Sequence, residues 1–212
     1  LIEHDFPSLP AAALEGLVKT PSTGSLGTRG IEHEMVAPTD GPAATDSRRE
    51  VSDDDALLII FTSGTLDRAK GAILTHANCF WTNLSLSRIA EITSSDTVLA
   101  VMPQYHVGGW NIQPLLAWWM GASVVLERTF DPGRVLQLIA DRKITTMMGV
   151  PANYLLLAQH PAFATTDLSS LTHAIVGGAP MPEPLLRVWH GRGVALTQGY
   201  GLTEASPNVL CL

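Results

Sequence analysis

Cysteine is almost absent from this sequence. Cys79 and Cys211 are the two in 212 residues, and no CxxC pair occurs. That argues against a disulfide framework and against a structural zinc site, and a reducing, cytoplasmic setting is the expectation. Positive charge is also scarce, with 13 Lys and Arg against 20 Asp and Glu and a net charge of −7. Nucleic acid is therefore not expected as the main partner, since a phosphate backbone calls for clustered cations. No run approaches the ~18–20 apolar residues of a transmembrane helix, so no transmembrane segment is expected. The first residues show neither the basic stretch nor the apolar stretch of a signal peptide. Charged residues make up 16% and hydrophobic ones 46%, which excludes disorder over the chain as a whole. A chain of this length buries about 70% of the surface its unfolded form exposes, enough for a core without staples.

Residues 1–55 show little order. Ile2, Phe6 and Ala11–Val18 suggest a short segment and a helical turn. From Lys19 to Asp55 the chain is punctuated by Pro21, Gly24, Gly27, Gly30, Pro38, Gly41 and Pro42, and reads as a long irregular loop. Leu1 in place of a methionine, and the apolar Val209-Leu210-Cys211-Leu212 at the other end, suggest a piece of a longer protein.

From Ala56 the pattern is regular, and residues 56–212 read as an α/β core. Leu57–Phe61 is a continuous apolar run that predicts a strand buried on both faces. Helical stretches are expected over about Thr75–Ile89 and Val107–Met120, and strands over Val98–Met102 and Ser123–Leu126. Asp131 followed by Pro132 marks a helix start, with Val135, Leu138 and Ile139 on one face as far as Arg142. Strands at Ile144–Met148, Ala174–Val176 and Val194–Thr197 alternate with helices after Pro151 and around Pro182–His190. This alternation predicts a mostly parallel sheet with helices on both faces. Ligands of such sheets bind where strands exit into loops, so the residues after each strand carry the functional information.

Four such exits stand out. The first, Phe61-Thr62-Ser63-Gly64-Thr65-Leu66-Asp67-Arg68-Ala69-Lys70-Gly71, offers hydroxyls, glycines and a lysine, the donors of a phosphate cradle. It is not a Walker A loop, and a plain polar strand-to-helix turn is its alternative reading. The second, Met102-Pro103-Gln104-Tyr105-His106-Val107-Gly108-Gly109-Trp110, carries His106, which could equally be a structural histidine. The third is Val176-Gly177-Gly178-Ala179-Pro180. The fourth, Gln198-Gly199-Tyr200-Gly201-Leu202-Thr203-Glu204, sets an aromatic ring between glycines. Tyrosine can stack on a base, and a glutamate beside phosphates can hold Mg²⁺ through oxygen.

In this order the segments resemble those of the acyl-CoA synthetase, or adenylate-forming, superfamily, which includes fatty-acyl-CoA ligases, firefly luciferase and nonribosomal adenylation domains. FTSGTLDRAKG resembles its phosphate loop, [YF]TSGTTGxPKG. MPQYHVGG resembles its MPxFHxxG segment, and QGYGLTE its GYGxTE signature. HVGGWN and GGAPMP look most like bacterial fatty-acyl- or aryl-CoA ligases. The resemblance spans roughly Asp54–Leu212, part of the large N-terminal domain of such enzymes.

That resemblance implies an acid–thiol ligase. A carboxylic acid and MgATP give an acyl-adenylate and pyrophosphate, and coenzyme A then gives the thioester and AMP. It assigns Thr62, Ser63, Gly64, Thr65 and Lys70 to the β- and γ-phosphates. Tyr200 would stack on adenine against Gly178, Ala179 and Pro180, with Gln198, Gly199 and Gly201 near the base. Thr203 would contact the α-phosphate, Glu204 and Thr65 would bind Mg²⁺, and His106 would lie at the acyl pocket. His106, Thr203, Glu204 and Lys70 form the catalytic set, and Trp110 and Ile112 are candidates to line the acyl tunnel. A fatty acid is the first expectation for the substrate and a hydroxycinnamate-type aryl acid the second. Peripheral membrane contact and a homodimer are left open.

The phosphate loop departs from the pattern at Leu66, Asp67 and Ala69. Asp67 sets a negative charge beside a polyanion, and a Cβ where glycine is usual, so ATP binding weaker than the family norm is expected. The resemblance also implies later motifs and a C-terminal domain beyond these residues, so these 212 residues by themselves are expected to be poorly active. Two other readings remain at this stage: a nucleotide-binding or scaffold protein that has lost catalysis, and an adenylation domain feeding a carrier protein.

Overall fold

The computed structural model describes residues 50–62 and 69–211, all within one structural unit, Arg49–Leu212. Strand β1 (Ala56–Thr62) and strand β2 (Lys70–Thr75) form an antiparallel hairpin in which Thr62 stands opposite Lys70 and Ile60 opposite Ala72. This corrects two expectations. The apolar run of β1 is not buried on both faces: Ile60 is 6% exposed, whereas Leu57, Ile59 and Phe61 are 38%, 41% and 61% exposed. The hairpin packs one face only, through Leu58, Ile60 and Leu74 against Cys79 and Val107. The phosphate-loop segment accordingly joins two strands, not a strand and a helix. Lys70-Gly71-Ala72 gave no strand signal because Gly and Ala are weak strand formers; the pairing with β1 imposes the conformation.

Helix α1 (His76–Leu86) starts at a reciprocal cap. The Thr75 hydroxyl accepts from the Asn78 N–H at 3.2 Å, and the Asn78 side chain accepts from the Thr75 N–H at 3.0 Å, which satisfies two orphan donors. The helix stops at Leu86, short of the expected Ile89. The expected helix over Val107–Met120 is two, α2 (Val107–Trp110) and α3 (Pro114–Met120). Pro114 lacks an N–H to continue the helical bonding across this point and takes the first position of α3, where none is needed. Helices α4 (Pro132–Asp141), α5 (Pro151–Gln159) and α6 (Glu183–His190) lie where the sequence placed them. The Asp131 carboxylate caps α4 by accepting from the Arg134 N–H at 2.7 Å.

The main sheet contains β3 (Thr97–Ala100), β4 (Ser123–Leu126), β5 (Thr146–Gly149), β6 (His173–Val176), β7 (Ala195–Gly201) and β8 (Asn208–Cys211), in the order β4-β3-β5-β6-β7-β8. All pairs are parallel except β7 with β8. Period-two alternation distributes its side chains between two cores. Leu99, Met147, Ala174 and Val176 join Val135, Ile139, Tyr154 and Trp189 of α4, α5 and α6. Val98, Met148 and Ile175 face the other way, toward Leu86 of α1, Ile112, and Leu116 and Ala117 of α3. With both faces covered, the exits of the parallel strands open on one edge, where the segments after β3 and β6 and at the end of β7 lie, while the phosphate-loop segment belongs to the hairpin. No helix among the described residues is long and apolar enough to cross a membrane.

Candidate active site

The β6 and β7 exits are adjacent because Val176 pairs with Gln198. Beyond that pair the backbones come close: a Cβ on Gly177 would stand 3.6 Å from the Gly199 carbonyl oxygen. Gly178 follows with φ +76°, a conformation open to glycine at little cost. Ala179, Pro180 and Tyr200 are exposed, so a turn of small residues and an unburied aromatic ring stand at the ends of adjacent strands.

Gln198 holds this turn. Its Oε1 accepts from the Met181 N–H at 2.9 Å, and its Nε2 donates to the carbonyls of Val176, Ala179 and Gly199 at 3.1–3.2 Å. The carboxamide is spent on backbone groups and fixes the shape of the turn that leaves β6.

Tyr200 lies opposite Leu210, and Gly201 opposite Asn208. A Cβ on Gly201 would fall 1.8 Å from the Pro207 carbonyl oxygen, so no other residue fits there. Past Gly201 a 3₁₀ turn, Thr203–Ala205, carries Thr203 and Glu204. Glu204 is exposed, and among the described residues no cation pairs with it. A cavity of about 310 Å³ opens beside it, walled by Trp81, Thr82 and Leu86 on one side and Ser206 and Asn208 on the other. No cluster of three or more His, Cys, Asp or Glu side chains suits a metal among the described residues. A single unpaired carboxylate fits Mg²⁺, which takes most of its ligands from phosphate and water.

His106 caps α2: its Nδ1 accepts from the Gly108 N–H at 3.1 Å, and the ring is exposed. An acceptor Nδ1 carries no proton, so the neutral ring has its proton on Nε2 and presents a donor there. A Cβ on Gly109 would lie 2.1 Å from the Pro103 carbonyl oxygen, and the Gln104 Nε2 ties Met102 to Gly109 at 3.0 and 2.9 Å. Ile112 belongs to the core, while Trp110 is half-buried against Trp118 with ring centroids 5.3 Å apart.

Thr62 and exposed Lys70 close the base of the phosphate-loop segment, with the Thr62 hydroxyl donating to the Lys70 carbonyl at 3.4 Å. Ser63, Gly64, Thr65, Leu66 and Asp67 lie outside the described residues. The sequence did not single out Thr82, Asn111 and Ser206, which form a buried polar cluster behind Glu204. The Glu204-Ala205-Ser206-Pro207 run was the available signal, since Ser-Pro favours turns. Burial pushes the neighbouring Cys79 thiol up, partly offset by hydrogen bonds from Ser206 and Asn111.

Comparison with known proteins bears on the family and the fold. The model of the AMP-binding enzyme family matches residues 8–212. A feruloyl-CoA synthase from Amycolatopsis is 39% identical over 159 residues, 75% of this chain and 32% of that protein. The long-chain-fatty-acid–CoA ligase FadD13 of Mycobacterium tuberculosis is 31% identical over 163 residues, 77% of this chain and 32% of that protein. The crystal structure of ATP-bound MatB from Rhodopseudomonas palustris superposes with a TM-score of 0.68 at 32% identity, over 74% of this chain and 31% of that one. The chain thus spans about a third of the length of these relatives. With the motifs in order at the strand exits of a matching fold, the chain belongs to the AMP-binding enzyme family.

Proposed function

We propose that these residues form the nucleotide- and acid-binding part of an ATP-dependent ligase. The ligase joins a carboxylic acid to AMP with release of pyrophosphate, then passes the acyl group to the thiol of coenzyme A. The single observation that carries this reading is the approach of the Gly177–Pro180 turn to the Gly199–Gly201 strand, which leaves Tyr200 exposed at the end of β7 beside a turn of small residues. That arrangement suits a purine ring. The relatives named as CoA ligases support the reading, and so does the ATP held by MatB.

A carboxylate is a poor acyl donor because its leaving group is oxide, and adenylation substitutes a good one. The residues therefore need to position the reactants and neutralise charge. Tyr200 and the Gly178-Ala179-Pro180 turn hold the base, and Thr203 donates to the α-phosphate. Lys70, with Thr62, Ser63, Gly64 and Thr65, takes the terminal phosphates. His106 offers its Nε2–H to the acid's carboxylate. Glu204, with Thr65, would hold Mg²⁺, which supplies charge neutralisation at the phosphates. The acid has an apolar body, either a fatty chain or an aryl ring of the hydroxycinnamate type.

Calorimetric titration of MgATP into the full natural polypeptide tests the reading, with Lys70→Ala and Glu204→Ala alongside. Binding weakened about tenfold or more in both variants is the expected result. Equal binding in all three proteins overturns it. Competition between ferulate and a long-chain fatty acid for adenylation then identifies the acid.

A further inference from the structure

Ser206 ends the turn that carries Glu204, in a backbone conformation that L side chains rarely adopt: φ +62° and ψ +49°. Something must hold it there. Within the turn, the Ala205 N–H donates to the Leu202 carbonyl at 3.0 Å, the Ser206 N–H to the Thr203 carbonyl at 3.2 Å, and the Leu202 N–H to the Pro207 carbonyl at 2.9 Å. From outside, two side chains converge on the Ser206 carbonyl. Asn111 Nδ2 donates to it at 3.0 Å and lies 3.0 Å from the Ser206 hydroxyl oxygen as well. The Thr82 hydroxyl donates to the same carbonyl.

Both side chains are buried, Asn111 completely and Thr82 to 9% exposure. Burying an amide and a hydroxyl is unfavourable unless they are bonded, and the Asn111 Oδ1 has no partner among the described residues. Apolar residues would fill the same space without that cost. Thr82 lies on α1, which follows the phosphate-loop hairpin, and Asn111 follows α2, which His106 caps. The Ser206 carbonyl is therefore a joint between the phosphate side, the acid side and the turn that bears Glu204.

We propose that Asn111 and Thr82 are positioning residues for Glu204. By holding the Ser206 carbonyl they set where its carboxylate stands, and so tie metal-dependent nucleotide binding to the packing of α1 and of the segment after α2. This rests on the reading of Glu204 as the carboxylate that holds Mg²⁺. Mg²⁺ demands near-ideal octahedral geometry, and groups that orient a metal ligand commonly affect metal affinity as the ligand itself does.

The test compares ATP binding to the full natural polypeptide with Mg²⁺ and with EDTA, by calorimetry, in the wild type, Glu204→Ala, Asn111→Ala and the isosteric Thr82→Val. Thermal unfolding of each variant runs in parallel. The readout is the factor by which the metal tightens ATP. Glu204→Ala removes that factor. Asn111→Ala lowers it on the order of tenfold and Thr82→Val by about threefold to fivefold, while metal-free binding stays as in the wild type. A cluster that only supports folding lowers the unfolding temperature and leaves the metal factor intact in both variants, and that result overturns the proposal. Thr82→Val decides the matter if Asn111→Ala does not fold. If Glu204→Ala itself keeps the metal factor, the assignment of Glu204 fails, and this proposal fails with it.

Discussion

The side-chain carboxamide of Gln198 accepts a hydrogen bond from the backbone N–H of Met181, 17 residues earlier in the chain. Its amide nitrogen meanwhile reaches the Val176 and Ala179 carbonyls. One side chain on β7 thus closes the turn that leaves β6. Gln198→Glu keeps the acceptor and replaces donors with a carboxylate oxygen facing carbonyls. It is expected to destabilise the fold by about 1–3 kcal/mol and to weaken nucleotide binding about tenfold or more. Urea unfolding and ATP titration of the same preparation check both effects.

His106 caps α2 and, in the proposed mechanism, also addresses the acid. It caps α2 through Nδ1, a role that asparagine also performs. His106→Asn is therefore expected to unfold within about 0.5 kcal/mol of the wild type while losing most of the adenylation rate. His106→Ala loses about 1 kcal/mol as well. Pyrophosphate-exchange rates beside unfolding curves separate the two roles, and full activity in His106→Asn would show that the ring does not act on the acid.

Gly201 cannot carry a side chain, because a Cβ there would fall 1.8 Å from the Pro207 carbonyl oxygen. Gly201→Ala must push β7 from the Pro207 turn. A loss of about 1–3 kcal/mol is expected, with weaker MgATP binding because the turn with Thr203 and Glu204 moves too. Unchanged unfolding and binding would mean that the strand yields freely.

Asp67 lies outside the described residues, yet its charge makes a plain prediction. Under the proposed reading of the loop as the phosphate site, Asp67→Gly takes a negative charge out of it, and MgATP binding should tighten by about fivefold or more. Unchanged affinity shows that the loop has accommodated the residue.

The Asp96 Oδ2 accepts from the Thr93 N–H at 2.7 Å and the Thr93 hydroxyl at 2.8 Å. Burial alone would raise this carboxyl, but hydrogen bonds from Thr93 and Thr145, with His173 nearby, outweigh it and hold it below the usual carboxylate range. A lowered folded-state pKa contributes stability above the unfolded value of about 3.9, and that contribution fades as pH falls through the folded value. Asp96→Asn should therefore lose less unfolding temperature than the wild type between about pH 5 and pH 2. Parallel curves for the two proteins would contradict the assignment.

The sequence by itself determined the order of the elements and the chemistry at their ends. Asp131-Pro132 marked the start of α4, and the strand–helix alternation announced the parallel sheet. The motifs put His106, Thr203 and Glu204 on strand exits and Tyr200 at the end of β7 itself. These are local signals, recorded in residue type and spacing over a few positions. Tertiary structure decided what local spacing cannot hold. The apolar run of β1 suggests burial on both faces, but its exposure depends on what covers each face, and only one face is covered. The spacing puts Gln198 in its motif, but the direction of its side chain follows from the carbonyls that β6 presents across the sheet. Asn111 and Ser206 stand 95 residues apart, and neither residue type announces the other. Hydrogen bonds between distant segments arise only once the packed sheet and helices bring them together, because nothing short of that geometry fixes which donor meets which carbonyl.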